Sequence, residues 1–83
     1  MRQGISLLEM QTGTEGIITT IDGGRGITSR LDALGIRAGT RVTKTSAPYL
    51  RGPVTVRVGN AQVAIGFGMA GRVFVQIEES APR

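Results

Sequence analysis

Side chains that move protons or hold transition metals at neutral pH are most often imidazoles and thiolates, and this chain has no histidine and no cysteine. The usual general base and the commonest zinc, copper or iron ligand are therefore missing. Disulfides and thiolate metal sites are excluded as well, which fits a reducing compartment. The remaining acid–base groups are the carboxylates Glu9, Glu15, Asp22, Asp32, Glu78 and Glu79. Only Glu78 and Glu79 are adjacent, near an end where solvation is the expected role, so neither a dedicated metal site nor a bound cofactor is expected. No nucleophile–base pair and no acid–base constellation specifies an enzyme.

What the chain has in excess is arginine. Ten basic residues face six acidic ones, for a formal charge of +4 and a sequence pI near 11.2, and Lys44 is the only lysine. An acidic partner is electrostatically favoured, whether nucleic acid, an anionic membrane surface or an acidic protein. The aromatics Tyr49, Phe67 and Phe74 are scattered, which argues against the stacking platform of a single-strand binder. The candidate partner-binding residues are Arg30, Arg37 and Arg41 beside a helix, with Tyr49, Leu50 and Arg51 on a proline-bracketed loop. The alternative for these arginines is a solvated head over a stem that covers aliphatic surface. The glycine-rich Asp22-Gly23-Gly24-Arg25-Gly26 lacks the Gly-Lys-Ser/Thr ending of a phosphate loop, and the chain is too short for a dinucleotide fold; it reads as a flexible turn.

These groups must be carried by a small scaffold. At 83 residues the chain is a single domain, 1–83, near the lower size limit for one unaided hydrophobic core. Only 4% of residues are aromatic, so that core must be built from Ile, Val, Leu and Ala. No long apolar run follows Arg2 and none approaches a membrane span, so a cytosolic location is expected.

One stretch reads as helix, Arg30 to Gly35, with Thr28 or Ser29 as N-cap and Leu31 and Leu34 sharing the face that packs on the rest. Gly35 suits a left-handed C-terminal residue, with Ile36 folding back onto the same cluster. The other segments read as β structure. Glu15 to Ile21 is a β-branched strand whose imperfect alternation suggests a bend, and Thr40 to Thr45 is a second strand. Ser46 to Pro53 is a loop that either displays Tyr49 and Leu50 or tucks the aromatic back over the barrel end. Val54–Val58 and Ala61–Ile65 alternate cleanly around Gly59-Asn60, a two-residue hairpin. Gly66 to Gly71 interrupts as one helical turn before a final strand over residues 72–78, in which Val73, Val75 and Ile77 face one side. Met1 to Thr12 is a covering segment of undecided structure, and Glu79 to Arg83 is expected to fray. Short strands with glycine corners predict a mainly β fold, a small SH3-like β-barrel with one short helix after the first strand.

With this element order on the page, the sequence resembles the FeoA family of small cytosolic components of bacterial ferrous-iron uptake. The likeness spans nearly the whole chain. It is carried by Gly13 to Ile21, by Arg30-Leu31, Leu34-Gly35-Ile36, Gly39 and Val42, by Pro48 with Gly52-Pro53-Val54, by Val56-Arg57-Val58-Gly59, and by Val63-Ala64-Ile65, Ala70 and Val73-Phe74-Val75. Similar domains form the C-terminal SH3-like segment of some iron- and manganese-dependent repressors. The resemblance implies a partner, the membrane transporter FeoB with its cytosolic GTPase domain, and a non-enzymatic role in supporting or regulating it. A nucleic-acid-binding small barrel and a stand-alone metal-regulator-like domain are the alternatives. The sequence departs from the family at Gly66-Phe67-Gly68-Met69, where many members carry an arginine and an acidic residue.

Overall fold

Alternation of β-branched and polar residues is realised as a six-stranded antiparallel sheet in the computed structural model, which describes residues 4–77. The elements in chain order are β1 (Ile5–Ser6), β2 (Glu15–Ile21), α1 (Gly24–Ala33), β3 (Arg41–Ser46), β4 (Val54–Val58), β5 (Ala61–Ile65), α2 (Phe67–Ala70) and β6 (Val73–Ile77). Their order in the sheet is β1-β6-β2-β3-β4-β5, so the C-terminal strand is inserted between the two N-terminal ones. The sheet is mainly β and open, with β1 and β5 at its two edges.

Period-two burial places one face of each strand on the core. Val42 and Lys44 of β3, Val54 and Val56 of β4, Ile65 of β5, and Val73 and Val75 of β6 are all buried. β2 is bent as expected: its register against β6 shifts between Ile18 and Thr20, and Ile18 is the buried isoleucine while Ile17 and Ile21 are half-buried. The tail from Glu79, with Glu78, lies outside the described residues.

The helix departs from its expected position. It begins at Gly24, six residues before Arg30, with Gly23 as N-cap and no side-chain cap. The supposed flexible turn thus supplies the first turn of α1. Thr28 is not a cap, for its hydroxyl donates back to the carbonyls of Gly24 and Arg25 at 3.1 Å. Two glycines cost a helix about 1 kcal/mol each relative to alanine. They are tolerated because starting early brings Ile27 and Leu31, four apart, onto the core, where Leu31 is fully buried. Leu34 was expected beside Leu31, and that expectation fails. The helix ends at Ala33, so Leu34 is the C-cap, off the helical face and 44% exposed.

The helix end itself is as expected. Gly35 has φ +87° and donates to the Asp32 carbonyl at 2.9 Å, while Ile36 donates to the Leu31 carbonyl at 2.9 Å. These two bonds are a Schellman motif, and the buried Ile36 supplies its apolar contact.

The N-terminal segment resolves into strand and turn. Ile5 and Ser6 pair with Val75 and Phe74, and the chain then coils once. Ser6 Oγ accepts from the Leu8 and Glu9 amides at 3.2 and 3.3 Å, and Glu9 Oε1 accepts from the Ser6 amide at 3.0 Å. This reciprocal Ser-x-x-Glu capping box fixes a turn that drives Leu7 and Met10 into the core.

Candidate partner-docking surface

The basic residues sort into three neighbourhoods. On the outer face of the sheet, register aligns Glu15, Thr43 and Arg57 as one row across β2, β3 and β4. Arg41, opposite Ile17 at the start of β3, lies 3.8 Å from Glu15 through Nε. Arg41, Thr43, Arg57, Glu15 and Gly59 line an open cleft of about 450 Å³. Arg57 is exposed and has no acidic partner among the described residues. Arg57 is not among the expected partner-binding residues, although the alternation of Val54-Thr55-Val56-Arg57-Val58 places it on the polar face.

The second neighbourhood is the helix flank. Arg30 is exposed in the last turn of α1, where a cation is favoured by the partial negative charge of the unpaired carbonyls. Arg37 is tied to Asp32 by an Nε–Oδ1 ion pair, and its Nη2 donates to the Asp32 carbonyl at 3.3 Å. Both side chains are well exposed, so the pair contributes less than about 1 kcal/mol. Beside it, a groove of about 420 Å³ between α1 and β2 is lined by Thr19, Thr20, Thr28, Ser29, Asp32 and Arg37 among others. Its polar groups are hydroxyls and one compensated ion pair, which is a poor setting for acid–base catalysis.

The third is the proline-bracketed loop. Tyr49 is 84% and Leu50 80% exposed. The Gly52 amide donates to the Tyr49 carbonyl at 3.0 Å, and Leu50 inside this turn adopts φ +61°, a conformation that non-glycine residues rarely hold. Arg51 places its guanidinium carbon 5.2 Å from the Phe67 ring centroid, a cation–π contact that ties the loop to α2. Arg41 and this loop sit at opposite ends of the six-residue β3, about 17 Å apart at 3.3 Å per residue. Arg41 is therefore held apart from Tyr49, Leu50 and Arg51 by the length of the strand.

Lys44 belongs to none of these surfaces. It is 2% exposed, and its Nζ donates to the carbonyls of Leu7 at 2.8 Å, Met10 at 2.6 Å and Leu8 at 3.3 Å. The three N–H groups of an ammonium match these acceptors, which end the N-terminal turn. Burial pushes its pKa below the ordinary lysine value of 10.5. The chain's only lysine is thus structural. Its alternation with Val42 was the available signal.

Among the described residues no three carboxylates come together, and no helix is long and apolar enough to cross a membrane.

Comparison with known proteins bears on the fold and the family. The FeoA domain matches residues 5–77. The crystal structure of an iron uptake regulatory protein (FeoA) superposes with a TM-score of 0.81 at 33% identity, covering 92% of this chain and 99% of that one. The FeoA protein of Chlorobium tepidum gives a TM-score of 0.81 at 19% identity, over 94% of this chain and 74% of that one. A manganese-dependent transcriptional repressor reaches 0.85 at 18% identity over 94% of this chain, which spans only 44% of the repressor. A search of curated proteins gives no match. The fold is the small SH3-like one expected, shared with that segment of the repressors, and the chain belongs to the FeoA family, which is associated with ferrous-iron transport.

Proposed function

We propose that this chain is a non-enzymatic, cytoplasmic accessory protein of ferrous-iron uptake that docks onto the cytosolic, GTPase-bearing part of a FeoB-like membrane transporter. The observation that carries the reading is the 33% identity to an iron uptake regulatory protein (FeoA) across almost the full length of both chains. The surface supports it in kind. Arg41 and Arg57 give a basic cleft that speeds encounter with an acidic face, and Tyr49 and Leu50 stand exposed as an aromatic and aliphatic anchor of the sort that dominates interface energy.

The test is capture of the full chain on the immobilised cytosolic domain of such a transporter, with oligonucleotides in parallel. Tyr49→Ala is expected to weaken binding through faster dissociation. Arg37→Glu with Arg41→Glu is expected to slow association and flatten its salt dependence. Specific binding of DNA or RNA at physiological salt, with no affinity for the transporter domain, would overturn the reading in favour of a nucleic-acid-binding barrel.

A further inference from the structure

β5 is the outer strand at one end of the sheet, and β4 is its only strand partner among the described residues. Gly59 has φ +61° while Asn60 does not share a positive φ, which makes Gly59-Asn60 a type II′ turn. Such a turn closes on a hydrogen-bonded pair, here Val58 and Ala61, and bonded pairs then alternate along the ladder. Val56 with Val63 and Val54 with Ile65 are therefore the other bonded pairs. It follows that the N–H and C=O groups of Gln62 and Ala64 point away from β4.

An open row of this kind is ordinarily guarded by a charge, a proline, a bulge or sheer shortness. The opposite edge, β1, is two residues long. β5 has five residues in unbroken register with β4, without charge or proline, and Ala61, Gln62 and Ala64 are exposed. Among the described residues it carries none of these guards.

The charges around this edge decide what fits it. Arg57, on β4, is the direct cross-strand partner of Gln62 on the outer face, and Arg51 sits on Phe67 at the end where β5 leaves the sheet. On the outer face the acidic side chain of this region is Glu15, three strands away on β2 and beside Arg41. Gln62 and Ala64 share the Arg57 face, whereas Val63 is turned to the core side and half-buried. We propose that the free edge of β5 is a strand-addition site for an extended acidic segment of another protein, with carboxylates on the Arg57 face and small aliphatic residues beside Val63. Main-chain bonds to Gln62 and Ala64 supply affinity and the alternating side chains supply selectivity. A second copy of this chain fits less well, because each copy carries +4 and the two Arg57 faces would be joined in one sheet.

The inference holds whichever protein supplies the segment, and its failure is read in a peptide titration instead of in transporter capture. The probe is an acetylated, amidated heptapeptide alternating aspartate with valine, titrated into the isotope-labelled full chain and followed by amide NMR. A control peptide carries serine for aspartate. Saturation is expected to slow hydrogen exchange of the Gln62 and Ala64 amides by about tenfold or more, with shifts centred on β5. Ala64→Pro removes an amide that β4 does not use and is expected to weaken binding by about tenfold while unfolding stays cooperative. Arg57→Glu is expected to weaken the acidic peptide severalfold and to leave the serine control unchanged. Should Ala64→Pro fail to fold, the exchange of Gln62 and Ala64 in the parent decides alone. No binding at millimolar peptide, shifts centred elsewhere, equal binding by a folded Ala64→Pro protein, or a concentration-dependent dimer whose interface is β5 would each overturn the proposal.

Discussion

Replacing Lys44 by methionine tests whether a buried cation holds the N-terminal turn against the sheet. Methionine keeps the length and most of the volume of the side chain but leaves the carbonyls of Leu7, Leu8 and Met10 without their shared donor. A buried acceptor left unpaired costs about 1–3 kcal/mol. The Leu7 and Met10 contacts are the short, buried ones, while the Leu8 contact is longer and only part-buried, so two full penalties are counted. Their sum, about 2–6 kcal/mol, is offset by about 1–2 kcal/mol from burying a thioether in place of a desolvated ammonium. Taken low with low and high with high, the net loss is about 1–4 kcal/mol, against a total of about 4–12 kcal/mol for a domain of this size. Urea unfolding followed by far-UV circular dichroism reads it directly, and Lys44→Gln, which keeps an N–H₂ donor, is expected to fall between parent and methionine variant. The pH dependence carries a sign. Burial lowers the folded-state pKa of Lys44 below the unfolded value of 10.5, so between the two the unfolded chain binds more protons. The stability difference between parent and Lys44→Met is therefore expected to widen as pH rises through that window, with all other titrating groups cancelling. A methionine variant within about 0.5 kcal/mol of the parent would refute the reasoning, because that is the usual range for a substitution at an exposed, unpartnered site.

Leu31→Ala is expected to cost about 2–5 kcal/mol through lost burial and a residual cavity, whereas Leu34→Ala, at a half-exposed C-cap, is expected to cost less than about 1 kcal/mol. Paired urea midpoints check the contrast, and equal losses would put Leu34 back in the core. Gly35→Val forces a β-branched residue to φ +87° and is expected to destabilise by about 1–3 kcal/mol, which thermal melts would register as a clear drop in midpoint. Leu50→Gly relieves a left-handed leucine that is 80% exposed; a gain of about 0.5–1 kcal/mol is expected, and a loss would mean that the leucine side chain stabilises the loop.

The segments legible in the sequence are those in which local chemistry has one good answer. Gly59-Asn60 between two period-two runs admits a hairpin and little else, and the hairpin is there in the expected register. Gly35 followed by Ile36 is likewise a local signal, since only a residue comfortable at positive φ can turn the chain so that an apolar residue folds back. The prolines announced a loop around Tyr49 and Leu50, and the structure decides between display and tucking back: both side chains are exposed.

Local chemistry misplaced the start of α1, because Gly24 and Gly26 are weak helix formers and Thr28 is a good cap when read alone. Burial of Ile27 and Leu31 against the sheet outweighs both preferences, and that contact is made only once the strands have assembled. Lys44 shows the same limit more sharply. Residue type says surface and alternation with Val42 says core. The carbonyls that settle the conflict belong to a turn 34 to 37 residues earlier in the chain. The candidate surface divides along this line too. An excess of arginine is visible in the composition, but which guanidiniums stand together depends on register. Pairing of β2, β3 and β4 aligns Glu15, Thr43 and Arg57 in one row beside Arg41, and the length of β3 holds Arg41 away from the Tyr49 loop. Composition alone determines the chain's own net positive charge; strand pairing decides where that charge is concentrated, because Coulomb interaction weakens with distance and is screened beyond about 8 Å at physiological salt.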